Sequence, residues 1–259
     1  MRPSRFISAP QTAAKTAGLA AAGLGLILAL WAVASGLGWL KANVFPSPWT
    51  IASALHDDGP SFYLSVASTT GSTALTGLGI GVGTGLACVV IAALVPRTQA
   101  GLVQVALVLQ CLPSMAIGPI LALLAGGRVP GIVIGAVAVH YAVLIPTLAG
   151  LRSVSQAQLE VVRVYGGSRL KELLKVRAFA ALPAFTASLQ IAVPCAVIGA
   201  LLGEYLGGVD KGIGVAMAVS QGVYEKTRTW NLGLLTVALT LAGTGVAAAL
   251  RAAVNRRLT

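Results

Sequence analysis

Apolar residues run in six long blocks along the chain, approximately 17–40, 65–95, 102–125, 130–150, 184–206 and 231–250, separated by shorter polar stretches. A helix rises about 1.5 Å per residue and a bilayer's hydrocarbon core is about 30 Å thick, so one crossing needs about 20 apolar residues. Each block is long enough. The pattern predicts an all-α, polytopic membrane protein of about six transmembrane helices, with a short N-terminal segment at 1–16 and a single transmembrane domain over 17–259.

One interruption differs from the rest. The segment 151–183 is long, polar and basic, and its own periodicity is helical. Ala157, Val161 and Val164 share one helix face, Gly166-Gly167 stops that helix, and Ser168 can cap a second helix whose Leu170, Leu173 and Leu174 share a face. Two amphipathic helices joined by a glycine hinge point to a docking element. An ordinary solvated loop, basic only through membrane orientation, is the plainer alternative.

Composition sharpens the membrane reading. Of the 259 residues, 56% are hydrophobic and 10% charged, too apolar and too charge-poor for a water-soluble domain of this size. The net charge of +11 would suit a nucleic-acid footprint if it were spread over one soluble face. With the N-terminus placed in the cytoplasm, however, thirteen of the eighteen Lys and Arg fall on the inner side, and Lys41, Arg128, Lys211, Lys226 and Arg228 on the outer. Five of the seven acidic residues lie outside or near it, so the whole excess sits inside, as the positive-inside rule requires. Nucleic acid is not needed to explain the charge.

Within the apolar blocks several residues invite attention. The first block continues to Leu40, longer than a signal-peptide core, so a retained anchor is expected even though Ala32-Val33-Ala34 has the form of a cleavage site. Phe45-Pro46-Ser47-Pro48-Trp49 then opens an external stretch whose prolines forbid one continuous helix up to Pro60. Gly77, Gly81 and Gly85 recur every four residues and make a helix face for close packing, without the spacing of a phosphate-binding loop. Pro113 and Pro119 are expected to interrupt the third span, Pro146 the fourth and Pro194 the fifth, which would open these spans toward a shared, partly hydrated interior. His140-Tyr141, mid-block, reads either as a contact in the translocation path or as a hydrogen-bonded packing pair. Glu204 reads either as a solvated helix end or as a gate. Cys88, Cys111 and Cys195 lie in three different blocks with no metal-site spacing and read as core filler.

The order Glu160-Val161-Val162, three residues, Gly166, and later Ala181-Leu182-Pro183 resembles the EAA loop of the permease subunits of bacterial ATP-binding-cassette importers. Val161-Val162 stand where that family usually has two alanines, and Ala178-Phe179 where it often has an extra Leu-Pro. The Pro-Ser-Pro of residues 46–48 is similar to the subgroup that imports sulfonates, taurine, nitrate or thiamine precursors, and Glu204 followed by Gly212-Ile213-Gly214 resembles the family's glutamate and Gly-x-Gly. The resemblance implies a coupling helix pair between spans four and five, with Glu160, Val161, Val162, Arg163, Gly166, Gly167, Ser168, Arg169, Leu182 and Pro183 meeting a cytoplasmic ATPase. It also implies a dimer of that ATPase holding ATP and Mg, a second permease copy, an external solute-binding protein, and a bacterial inner-membrane location with both termini cytoplasmic. His140, Tyr141, Pro113, Pro194 and Glu204 are the candidates for the path.

Function follows from what the chain carries and lacks. It has two histidines, no G-x-S-x-G, no intramembrane carboxylate pair and no P-loop sequence, so it reads as a non-enzyme whose transport energy comes from another subunit. A stand-alone secondary transporter or channel is the competing reading. Such proteins usually show two similar halves and coupling charges deep in the membrane, and neither is evident in this sequence.

Overall fold

The computed structural model describes residues 9–37, 46–207 and 209–258, and within these the chain is helical with no strand. The helices are α1 (Ala9–Gly36), α2 (Pro48–Asp58), α3 (Pro60–Leu94), α4 (Gln99–Cys111), α5 (Ser114–Ala125), α6 (Val129–Arg152), α7 (Gln156–Val164), α8 (Arg169–Glu172), α9 (Ala178–Tyr205), α10 (Ile213–Gly222) and α11 (Lys226–Leu258). A five-residue π turn at Leu173–Arg177 joins α8 to α9, so one helical rod runs from Arg169 to Tyr205. Residues 1–8 of the expected N-terminal segment, together with Lys41 and Phe45, lie outside the described residues.

Among the described residues four helices are long and apolar enough to cross a membrane: Pro60–Leu94, Val129–Arg152, Arg169–Tyr205 and Lys226–Arg257. The third block is not a straight span. It breaks between α4 and α5 with a bend of 88°, and counts as a fifth crossing only if the bent pair is one span. The break has a local cause: Leu112 and Pro113 are extended (ψ 123° and 107°), and proline offers no N–H to continue the α4 ladder.

The other prolines behave differently from expectation. Pro119, Pro146, Pro183 and Pro194 all sit inside helices that continue through them. Leu182 and Pro183, expected to close the polar loop, therefore belong to α9, and the second amphipathic helix is the start of a span. No glycine lies between Ser168 and Pro183, and the alanines at 178, 180, 181 and 184 favour helix throughout. In the external stretch Pro48 and Pro60 each take the first turn of a helix, where the missing N–H costs nothing, so α2 forms between them.

The core is built around α6, which packs between α3 and α9. Val139, Val143 and Leu144 of α6 have no exposed surface. The stripe Gly77, Gly81, Gly85 faces α6 as the spacing predicts; a methyl group at Gly81 would come within 2.6 Å of the Ala136 carbonyl. The α6–α9 approach is closer still, because Gly131 and Gly135 meet Gly199 and Gly203 backbone to backbone, and a methyl at either α9 glycine would overlap the α6 chain. Outward faces are apolar, as in Leu64, Leu75, Val90 and Val246, which suits hydrocarbon and not water. Threonines on α11 donate to their own helix, Thr236 to the Leu232 carbonyl (2.9 Å) and Thr240 to that of Thr236 (2.8 Å), which satisfies them within the membrane.

Candidate functional site

The polar loop is organised by caps. Ser155 Oγ accepts from the Gln158 N–H (3.3 Å) while Gln158 Oε1 accepts from the Ser155 N–H (3.0 Å), a reciprocal box that starts α7. Gly166, at φ +70°, ends that turn in the left-handed region, where a side chain is strained. Gly167 is not left-handed; it is needed because a methyl there would strike Val162. Ser168 then accepts from the Lys171 N–H (3.4 Å) and caps the next helix, as its position in the sequence predicts.

Two interactions tie the loop to itself. Leu159 is buried beneath α7, and Arg163 Nε donates to Glu172 Oε1 at 2.7 Å across the hinge. That hydrogen bond, and the carboxylate's charge, raise the Arg163 guanidinium above its ordinary value. What the loop leaves outside is apolar: Val161, Val164, Leu170 and Leu174 are all more than half exposed, and Tyr165 stands beside them. Glu160 and Arg169 are exposed among them. An apolar patch of this kind, rimmed by charge, is the signature of a protein-docking surface.

The five path candidates are not brought together. His140 Nδ1 lies 3.1 Å from Thr84 Oγ1 on α3, and Tyr141 packs with Val89 and Leu144. Pro113 is exposed at the α4–α5 break, and Pro194 is half-buried within α9. Thr84 and Thr70, the α3 partners of His140 and Glu204, are about 21 Å apart along the helix, so those two residues belong to different levels of the bundle. The elbow of the α4–α5 bend holds a cavity of about 180 Å³ against α6, with Gln110 and Ser114 among mostly apolar walls. Sequence reasoning missed Gln110, although it and Gln104, the two amides of an otherwise apolar block, were the available signal.

Glu204 is not a solvated helix end. It is 3% exposed and lies where α3, α9 and α10 meet. The Thr70 hydroxyl donates to its Oε2 (2.8 Å), and the Gly214 N–H donates to the same oxygen (3.0 Å). Thr70 Oγ1 in turn accepts from the Ile213 N–H (2.9 Å). Gly212, the residue before α10, has no side chain to cap that helix, so a carboxylate and a hydroxyl from two other helices serve its first two amides. The glycines are required there, since a methyl at Gly212 or Gly214 would overlap Glu204. Close by, Arg128 Nε donates to Thr73 Oγ1 (2.8 Å) and Nη2 to Ser72 Oγ (2.7 Å). On the same end of the bundle Arg228 Nε donates to both oxygens of Asp58 (3.1 Å each), and Tyr63, held by Asn231 (3.1 Å), donates to Asp58 Oδ2 (2.6 Å).

Comparison with known proteins agrees with this geometry. Residues 73–259 match the model of the binding-protein-dependent transport system inner membrane component. A probable ABC transporter permease protein of Haemophilus influenzae is 33% identical over 75% of this chain and 79% of its own. The putative aliphatic sulfonates transport permease SsuC of Bacillus subtilis is 28% identical over 83% of this chain and 78% of its own. Among solved structures, a chain of the methionine transporter MetNI in inward-facing form superposes with a TM-score of 0.57 at 18% identity, covering 80% of this chain and 96% of that one, which shows a shared fold. With a capped polar loop between apolar spans and a bundle held by glycine contacts, the chain belongs to the family of inner-membrane permease components of binding-protein-dependent ABC importers.

Proposed function

We propose that this permease forms half of a translocation path for a small anionic or heterocyclic solute, of the sulfonate, taurine, nitrate or thiamine-precursor kind. In this reading a second copy supplies the other half, an external binding protein delivers the solute, and a cytoplasmic ATPase dimer, which holds ATP and Mg, drives the cycle. Both termini are cytoplasmic. The family implies the ATPase and binding-protein partners, and the relative named for aliphatic sulfonates supports an anionic solute.

The observation that carries the coupling part is the rod from Arg169 to Tyr205. Its cytoplasmic start adjoins the exposed apolar patch around α7, and its other end holds Glu204 and through it α10. At about 1.5 Å per residue the two are about 50 Å apart along one helical rod, and in this reading the rod carries a displacement at the patch to the far end of the bundle. Glu160, Val161, Val162, Arg163, Gly166, Gly167, Ser168 and Arg169 form the docking part of this reading, and Leu182 and Pro183 the rod behind it. Affinity purification of the tagged chain from its native membrane tests the assembly. Co-purification of one ATPase subunit type, with ATP hydrolysis stimulated by a solute-loaded binding protein, is the expected result. A chain that transports in proteoliposomes with no ATPase present would overturn it.

A further inference from the structure

At the end of the bundle opposite Glu204, the C-terminus of α3 and the helix beginning at Arg169 enclose a cavity of about 420 Å³. Arg163, Arg169, Glu172, Leu173 and Arg177 line it from the loop and the rod, and Leu94 from the end of α3. Glu172 is buried and ion-paired to Arg163, while Arg177 and Arg169 act on the same carboxylate from farther away. Three guanidinium groups thus line the cavity beside one carboxylate, with Glu160 acting on Arg163 from outside it, so the cavity keeps an excess of positive charge. Among the described residues neither Arg169 nor Arg177 has an ion-pair partner of its own. The π turn at Leu173–Arg177 builds one side of the cavity and carries Arg177 into it.

The depth of the cavity follows from α3. From Gly77 to Val95, nineteen residues carry a single hydroxyl, Thr84, and no charge. They span about 28 Å, close to the thickness of the hydrocarbon core. Leu94 and Pro96 therefore lie at the membrane boundary, level with lipid phosphates. Leu94 is exposed there and gives the cavity an apolar edge.

We propose that this cavity binds the phosphate of an anionic phospholipid. Arg177, which the docking surface does not use, supplies the donors that match phosphate oxygens, with Arg169 at the rim, and Leu94 lies against the glycerol and the first methylenes of the acyl chains. Glu172 takes up Arg163 and fixes it against the rod. An acidic segment of a soluble partner would satisfy the arginines equally well, but it has no use for an apolar wall at hydrocarbon level. The occupant is therefore lipid.

The test reads lipid rather than transport, which separates it from the coupling proposal. Full-length protein is placed in nanodiscs of mixed phosphatidylcholine and phosphatidylglycerol, then released and weighed by native mass spectrometry. Wild type is expected to retain phosphatidylglycerol selectively. Arg177→Ala should lower that enrichment about fivefold, the equivalent of about 1 kcal/mol per arginine at a lipid surface. Arg177→Lys should keep most of it, and added inorganic phosphate should not displace the lipid. Unchanged enrichment in Arg177→Ala overturns the proposal, as does full displacement by phosphate, which would mark a free-anion site. Loss of co-purifying ATPase with enrichment intact also overturns it, because the cavity would then belong to the protein contact. Should Arg177→Ala fail to insert, phosphatidylglycerol with a photoreactive headgroup is crosslinked to wild type. Labelled peptides must then include Leu94 or 169–177, and labelling elsewhere alone refutes the site.

Discussion

Thr70 and Glu204, 134 positions apart in sequence, share a 2.8 Å hydrogen bond that fastens the N-terminus of α10 to α3 and α9. The same carboxylate oxygen takes the Gly214 amide, so removing the side chain would strand the Thr70 hydroxyl and the Gly214 N–H in a site with almost no solvent. Glu204→Gln keeps an acceptor in place and should lower the melting temperature of the purified protein only slightly. Glu204→Leu should cost about 3 kcal/mol or more, as expected when buried partners lose a charged acceptor. Equal melting temperatures for the two variants would contradict the capping role.

The glycine crossing gives a paired prediction. Gly199→Ala puts a methyl into the Gly135 backbone, whereas Gly79, on the same family of apolar helices, has nothing within 4 Å of an added Cβ. Overpacking at 199 should destabilise by about 1–3 kcal/mol. Gly79→Ala should be neutral or stabilising by up to about 1 kcal/mol, since alanine is the better helix former. Thermal unfolding of the two proteins in one detergent is the measurement, and a reversed order would place the α6–α9 contact elsewhere.

Much of this arrangement was legible in the chain and some was not, for identifiable reasons. The Gly77, Gly81, Gly85 face, the Gly166 stop and the Ser168 cap are local signals, and the structure places all three as expected. The spacings Gly131-x-x-x-Gly135 and Gly199-x-x-x-Gly203 were equally readable, yet only the fold shows that the two meet. Glu204 looked like a rim residue because its partner is on another helix far away in sequence. Pro113 marked the break after α4, but the 88° turn depends on how α5 packs against α6. Pro183 misled in the other direction: it is exposed, yet α9 runs on through it among residues that favour helix.

Asp58 links the pH response to the end of the bundle that holds Arg228 and Tyr63. Hydrogen bonds from Arg228 hold its carboxyl below the usual carboxylate value. A depressed folded value means that the pair's contribution is complete above the unfolded value, about 4, and is lost as pH falls through the lower folded one. The melting temperature of wild type should therefore drop more steeply below about pH 4 than that of Asp58→Asn, which has no charge to lose. Parallel pH profiles would show that the pair contributes nothing.

Orientation is testable by single-cysteine labelling in a cysteine-free background. Arg169, at the start of the rod, and Lys211, in the turn that follows its other end, are both exposed. An impermeant maleimide added to intact cells should label Cys introduced at 211 and not at 169. The opposite pattern would invert the membrane topology and remove the loop from reach of any cytoplasmic ATPase.

The last prediction concerns the hinge between α7 and α8. Gly166 sits at φ +70°, where a β-branched residue costs about 1–2 kcal/mol, and nothing within 4 Å of its Cβ position would clash. Gly166→Val therefore acts on backbone shape alone. The chain relieves the strain by rotating α7 away from α8, which pulls Arg163 from Glu172 and re-aims Glu160 and Val161 at the docking surface. Because the spans are untouched, membrane insertion and thermal stability should stay near wild type, while ATPase co-purification weakens and uptake is abolished. Glu160→Lys reverses a charge on that surface and should act the same way, whereas Lys226→Glu at the far end of the bundle should leave ATPase binding unchanged. Gly166→Ala, with a smaller side chain at the same φ, should fall between. If Gly166→Val binds the ATPase normally and hydrolyses ATP on solute delivery, the loop does not carry the coupling.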